Sequence, residues 1–420
     1  MQTIPIDIPR QNLLLSLCRD AILRGNIELA ERVCREMNAT GWGDARTWIM
    51  IAEVARIVGR RDIALDALER AMNMPGLAPG DAQSAREKAL TMPESSPGRG
   101  GLHIIRSWGQ GFWSDVDHVI GQLMVAEMTE RTPLVLWGEN SRFGESRVNT
   151  WEYFFELVSS VDVPANATFF PSKWRADNLM VAENGAFTGP GSRIAFLPFL
   201  SSDASVTVSD FHAPPVAVSH WIRSSSPLAG KSLAEMYQFV LARHVHARPE
   251  ILARVDETAD KLGIGTKGTP VIAAHVRGSD KAIEVGDMRP VHAAYHTEIA
   301  RQMEALGSDA RLLLLTDWEP AADEYRAKYG SRVIETSATR TAGSVGLHFH
   351  ENRDGRRLGE DVLLDTLLAS RCDALVGIGW SNVSLFMSYF AKLRGLPDER
   401  IALIGPNLHE NYNSFLLRRG

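Results

Sequence analysis

Between residues 271 and 404, short and mostly apolar runs alternate with longer amphipathic stretches, and that alternation limits what the chain can fold into. Residues 271–276, 311–316, 332–334, 374–377 and 401–404 read as strands. Helices are predicted over 292–306, 320–329, 361–370 and 382–393. Strands separated by helices pair in parallel, because each return crossing needs a connection long enough to span the sheet. Strands apolar along their whole length are covered on both faces. The expected result is a doubly wound, Rossmann-like sheet that binds its ligand at the carboxyl ends of the strands.

A shorter series of the same kind comes earlier. Residues 102–105 form an apolar run, followed by Gly109-Gln110-Gly111. A helix is predicted over 115–129, with Val116, Val119, Ile120, Leu123 and Met124 on one face, and a strand over 133–137. Residues 194–197 read as a further strand. Before this lies a helical region with internal similarity at an offset of 34, from Gly25 to Gly59 and from Ala30 to Ala64. That period resembles about two tetratricopeptide-type repeats. Pro75, Pro79, Pro93 and Pro97 mark the boundary that follows. The chain is therefore expected to be α/β, with two Rossmann-like domains (96–265 and 266–420) preceded by a small all-α helical-repeat domain (1–95). The repeats would serve packing, oligomer contact or docking of an acceptor.

Bulk properties exclude some classes of function. The 420 residues carry a net charge of -6, which gives no electrostatic basis for nucleic acid as the main partner. The N-terminus lacks a basic stretch followed by an apolar run, and no apolar stretch is long enough to span a bilayer. Cys18, Cys34 and Cys372 sit in apolar contexts without metal-ligand spacing, as small hydrophobes of a reducing compartment do. The expected location is cytoplasmic, with room for a peripheral membrane contact. His244 with His246, and His348 with His350, alternate. No cysteine or regularly spaced carboxylate completes either pair, so no metal is expected.

Three loops at predicted strand ends carry chemistry. In the first, Arg277 and Lys281 place two positive charges beside a strand end, with Ser279 as a hydroxyl donor and Asp280 to orient the bases. Arginine grips two phosphate oxygens at once through its planar fork, and fixed positive charge favours a leaving diphosphate. The same cluster is also compatible with a surface ion-pair patch. The second is Thr316-Asp317-Trp318, where Asp317 accepts from a base or ribose or caps the next helix. The third is Gly377-Ile378-Gly379-Trp380-Ser381-Asn382, where Gly379 permits close backbone approach and Ser381 and Asn382 open a helix whose N-terminus favours phosphate. Asp365 is an acid in an apolar helical stretch and needs partners there, guanine N–H groups or an arginine among them. In the earlier series, Gly109, Gly111 and Phe112 form a glycine-aromatic loop suited to a donor or acceptor. Its alternative is a tight turn with its aromatics in the core.

The segment His275-Val276-Arg277-Gly278-Ser279-Asp280-Lys281 resembles the HVRRTDK signature of the α-1,6-fucosyltransferases, which include the rhizobial nodulation enzymes and the animal core fucosyltransferase. Gly109-Gln110-Gly111-Phe112, Arg131 to Leu136, Asn140-Ser141-Arg142-Phe143, Trp151-Glu152, Thr316-Asp317, Gly346-Leu347-His348, Val362 to Asp365 and Ser381 are similar to further family motifs in the same order. The resemblance covers roughly residues 102–405.

It implies a GT-B arrangement of the two α/β domains and an inverting, metal-independent transfer from GDP-fucose, without a cofactor. The acceptor would be a glycan, a lipid-linked sugar or a protein. Arg277 matches the phosphate-binding arginine, His275, Asp365 and Ser381 match positions that hold GDP, and Lys281 matches a lysine near the diphosphate or acceptor. Two positions depart from the pattern. The family's second arginine is Gly278 here, and its carboxylate four residues after the lysine is Val285. Glu284 or Asp287 would then serve as the base. These departures keep open a different GDP-sugar such as GDP-mannose, a non-catalytic sugar-nucleotide-binding scaffold, or another enzyme on a similar frame.

Overall fold

The computed structural model describes residues 8–24, 26, 29–30, 32–34, 37, 45–57, 59–74, 79–91, 100–145, 147–181, 199–200, 202–209, 213–223, 225–278, 289–343 and 354–410. Two parallel sheets organise it. In the first, β1 (Leu102–Arg106), β2 (Thr132–Leu136), β3 (Phe169–Phe170) and β4 (Val206–Val208) lie in the order β2-β1-β4-β3. In the second, β5 (Val271–His275), β6 (Arg311–Leu315), β7 (Val333–Glu335), β8 (Ala374–Ile378) and β9 (Ile401–Ile404) lie in the order β7-β6-β5-β8-β9. Every strand pair in both sheets is parallel.

The second sheet shows why its strands are apolar throughout. Ile272, Ala274, Leu312, Leu314, Ala374 and Val376 share one core cluster with Tyr295, Ile299 and Tyr325. Those aromatic and aliphatic partners come from helices Arg289–Leu306 and Glu319–Tyr329. The alternate residues Val271, Ala273, Leu313, Leu315 and Leu375 join the other cluster, with Leu363, Leu385 and Phe386. These belong to helices Gly355–Ala369 and Asn382–Leu393. Side chains alternate across a strand, so both faces need apolar residues.

Helix Gly355–Ala369 begins earlier than its apolar pattern, because the Asp354 carboxylate caps it by accepting from the Arg357 amide at 3.0 Å. Its Gly359 lets the helix approach the other sheet's aromatics: a Cβ there would lie 2.6 Å from the Phe154 ring. Contact between the two sheets' helices is direct. Trp113, on helix Phe112–Met128, stacks on Phe386 with centroids 4.5 Å apart and donates from Nε1 to Thr366 Oγ1 at 2.8 Å.

The N-terminal region contains helices Ile8–Leu23, Ala45–Ile57, Arg61–Met72 and Pro79–Leu90. Gly59, at φ 78°, makes the tight turn between the second and third of these. The apolar faces of the first three belong to the same core cluster as the first sheet and its helix. Arg60 is 1% exposed and donates to the Leu200 carbonyl, and Arg70 donates to the Ile222 carbonyl. One buried and one half-buried guanidinium thus fasten the helices to the α/β part of the chain. The short strands β3 and β4 are unanticipated from the pattern. The strand expected over 194–197 lies outside the described residues. No described helix is long and apolar enough to cross a membrane.

Candidate functional site

The second sheet reverses direction in the middle. From β5 the chain winds outward through β6 to β7, then returns to β8 on the other side of β5. At such a point the loops leaving two neighbouring strands diverge and leave a crevice at their carboxyl ends. The β5 loop carries His275, Arg277 and Gly278, and the β8 loop carries Gly379, Trp380 and Ser381.

Arg277 Nη1 lies 2.5 Å from Asp317 Oδ2, so the β5 and β6 loops are joined by an ion pair. The two side chains keep 15% and 20% exposure, which leaves the guanidinium reachable while holding it in place. His275 is buried beneath it. Its Nδ1 is 2.6 Å from Ser384 Oγ, and its carbonyl accepts from Tyr295 Oη at 2.6 Å. Burial, with the adjacent Arg277 charge adding to it, lowers the His275 pKa far below the usual imidazole value. The ring is therefore neutral at physiological pH. Ser384 reaches it because position 377 has no side chain: a Cβ at Gly377 would stand 2.8 Å from the Ser384 hydroxyl.

Arg340 was not singled out by sequence, and it ties the loops after β6 and β7 together. Its Nε donates to the Thr316 carbonyl at 3.3 Å, and its Nη2 pairs with Glu335 at 2.8 Å. Asp365 lies on the same edge and accepts from Thr336 Oγ1 at 2.9 Å. Burial raises its pKa to about 7, against the lowering effect of that hydrogen bond. Nothing in the sequence around Arg340 distinguishes it from a surface arginine.

Gly278 has a structural reason to lack a side chain. A Cβ there would meet Trp318 Cε3 at 2.3 Å. The indole after β6 fills the space that a second arginine side chain would need in this loop. Gly379 is also explained by its own chain. Its N–H donates to the Ile404 carbonyl at 2.8 Å, and its carbonyl accepts from Leu408 N at 2.7 Å. A Cβ would lie 2.6 Å from the Pro406 carbonyl oxygen. The close backbone approach expected at Gly379 is thus made by the C-terminal segment. Ser381 is buried at the head of helix Asn382–Leu393 without a side-chain capping bond, and Asn382 Oδ1 is 2.7 Å from His409 Nε2.

In the first sheet, the glycine loop leaves β1 beside the matching reversal between β1 and β4. Gly109 adopts φ 79°. Asp115 folds back onto the loop, where Oδ1 accepts from Gln110 N at 2.9 Å and Oδ2 accepts from Ser107 Oγ. Burial raises the Asp115 pKa to about 7 despite these bonds. Phe112 is 3% exposed, edge-on to Trp113, Trp137, Phe143 and Phe154. Its ring belongs to the core, so what this loop offers a ligand is the backbone around Gly109 to Gly111.

Ser279, Asp280, Lys281, Glu284 and Asp287 lie outside the described residues, as do Val285, the Gly346-Leu347-His348 motif and His350. A cavity of about 810 Å³ opens elsewhere, beside β2, lined by Leu134, Glu139, Arg147 and Asp162 among others. None of the strand-end residues above lines it.

No protein-family model and no curated protein matches the chain. Solved structures do. The chain is similar to the fucosyltransferase NodZ from Bradyrhizobium at 20% identity, over 70% of this chain and 93% of that one, with a TM-score of 0.45. It is similar to an Arabidopsis thaliana FUT1 mutant in complex with GDP at 12% identity, over 79% and 77%, with a TM-score of 0.44. It is similar to POFUT1 in complex with GDP-fucose at 12% identity, over 74% and 99%, with a TM-score of 0.42.

Proposed function

We propose that the chain is a glycosyltransferase that takes GDP-fucose at the carboxyl ends of β5 and β8 and transfers fucose, with inversion, to a hydroxyl of a glycan, a lipid-linked sugar or a protein. The observation that carries this reading is Arg277. It is a partly exposed guanidinium, oriented by Asp317, beside a neutral His275, at the point where the strand order reverses. The planar fork of a guanidinium suits a diphosphate. When the bond from the sugar carbon to the diphosphate oxygen breaks, the electron pair stays on GDP. A cation held in place before that moment stabilises the transition state more than the ground state. Arg277 and Lys281 supply this charge without a metal. The acceptor oxygen forms the new bond to the same carbon from the opposite side, and its proton goes to Glu284 or Asp287.

Within this reading, residues 266–420 form the donor domain and 96–265 the acceptor-side domain of a GT-B pair. Residues 1–95 form a tetratricopeptide-like unit that packs against them and serves oligomer or peripheral membrane contact. The protein works in the cytoplasm. Asp365 and Asp317 face the base and ribose, and Ser381, Asn382, Ser279 and Asp280 complete the donor contacts.

A second reading rests on Gly278. With Trp318 in the place of a second arginine, the donor is another GDP-sugar such as GDP-mannose, or the site binds a sugar nucleotide without turning it over. Calorimetry with GDP, GDP-fucose and GDP-mannose separates these. Binding of GDP-fucose in preference to GDP-mannose, with slow release of free fucose, supports transfer. Binding of neither sugar nucleotide, or full activity in Arg277→Ala, sinks the proposal.

A further inference from the structure

A buried polar cluster centred on His409 shares only Asn382 with the site described above. Asp117 points from helix Phe112–Met128 of the first sheet, is 4% exposed and accepts from Tyr237 Oη. Tyr237 belongs to helix Leu233–His244. Its ring stacks on His409 with centroids 4.5 Å apart and planes at 9°, and on Tyr389 at 4.6 Å and 16°. His409, 4% exposed, uses both ring nitrogens. Nδ1 is 2.9 Å from Tyr389 Oη, and Nε2 is 2.7 Å from Asn382 Oδ1 and 3.7 Å from Asp117 Oδ1.

Four separate elements therefore meet at one imidazole. They are the helix after β1, helix Leu233–His244, the helix after β8 and the C-terminal segment that follows β9. The end of β9 and this segment are bonded to the two backbone groups of Gly379 through Ile404 and Leu408. Burying this many polar groups in an otherwise apolar contact is costly unless each is bonded, and a fully bonded network fixes one geometry. The geometry fixed here is that of residues 379–382 relative to the first sheet's helix.

We propose that His409 is a positioning residue for the loop after β8. By holding Asn382 on one side and meeting Asp117 on the other, it anchors the head of that helix to the first sheet's helix and so sets the affinity for a nucleoside diphosphate at the loop. The proposal rests on the reading that this loop faces GDP. Its test uses the full-length protein as His409→Ala, His409→Gln and Asp117→Asn, with GDP as the probe. Calorimetry should show GDP affinity falling about tenfold in His409→Ala. His409→Gln, which keeps a donor for Asn382, should recover most of the loss. Amide hydrogen exchange should accelerate at 379–386 in His409→Ala more than across β5 and β6. A purely structural histidine would lower the melting temperature without that local pattern or the rescue. Folded His409→Ala with unchanged GDP affinity and unchanged exchange at 379–386 overturns the proposal. If the unmodified protein binds no GDP, the functional reading fails and exchange alone decides the positioning role. If His409→Ala does not fold, Asp117→Asn provides the same two measurements.

Discussion

The loops that leave β1 and β5 occupy matching places in the two sheets, yet they use their charged residues in opposite ways. After β1, Asp115 turns inward. It accepts from Ser107 and Gln110, and Phe112 is sunk in an aromatic cluster, so the loop is closed on itself. After β5, Arg277 keeps part of its surface in solvent and takes its partner from the neighbouring loop. The first arrangement makes a rigid backbone turn. The second presents a cation. A chain that needs a diphosphate clamp on one side of a site and a shaped wall on the other would distribute its residues in this way.

The largest expected effect breaks the β5 side. Arg277→Ala should weaken GDP binding by about 100-fold, because a charge-assisted contact to phosphate contributes roughly 1.5–3 kcal/mol. Its melting temperature should fall too, because the pair is mostly buried and Asp317 loses this partner, though binding is the larger loss. The β1 side should respond in the reverse order. Asp115→Ala leaves Ser107 and Gln110 without their acceptor and should cost about 2–3 kcal/mol in urea unfolding. A smaller test concerns the wall of the β5 loop. Gly278→Ala forces Trp318 to move and should cost about 1–3 kcal/mol. Adding Trp318→Ala should remove most of that cost, and a double-mutant cycle measures the coupling.

A separate test is in pH. Burial raises the pKa of Asp115, Asp117 and Asp365 to about 7. Each is raised above its unfolded value, so the folded state holds extra protons between about pH 4 and 7. The stability they contribute is complete below about pH 4 and is lost as pH rises through 7. Melting temperatures across this window should show that fall against the other ionisations, and Asp115→Asn should flatten it in part.

Much of the second sheet was legible because its strands are buried on both faces and its helices are long. Strands β3 and β4 were not, since two or three residues show no period. The position of Arg277 at a strand end was legible, because an apolar run ending in a basic cluster marks it. The reason for Gly278 was not, because it depends on Trp318, forty residues away in the chain. Phe112 read as part of a ligand loop, with the core as the alternative, and its packing places the ring in the core. Arg340 and His409 carried no signal at all: each acquires its role from partners brought together by the fold.

The most direct measurement is a crystal structure of the protein with GDP. The diphosphate is predicted to lie in the crevice between the carboxyl ends of β5 and β8, against the Arg277 guanidinium, with the base toward Asp365. GDP bound elsewhere, or a crevice that stays empty at saturating GDP while Arg277 remains on Asp317, would contradict it.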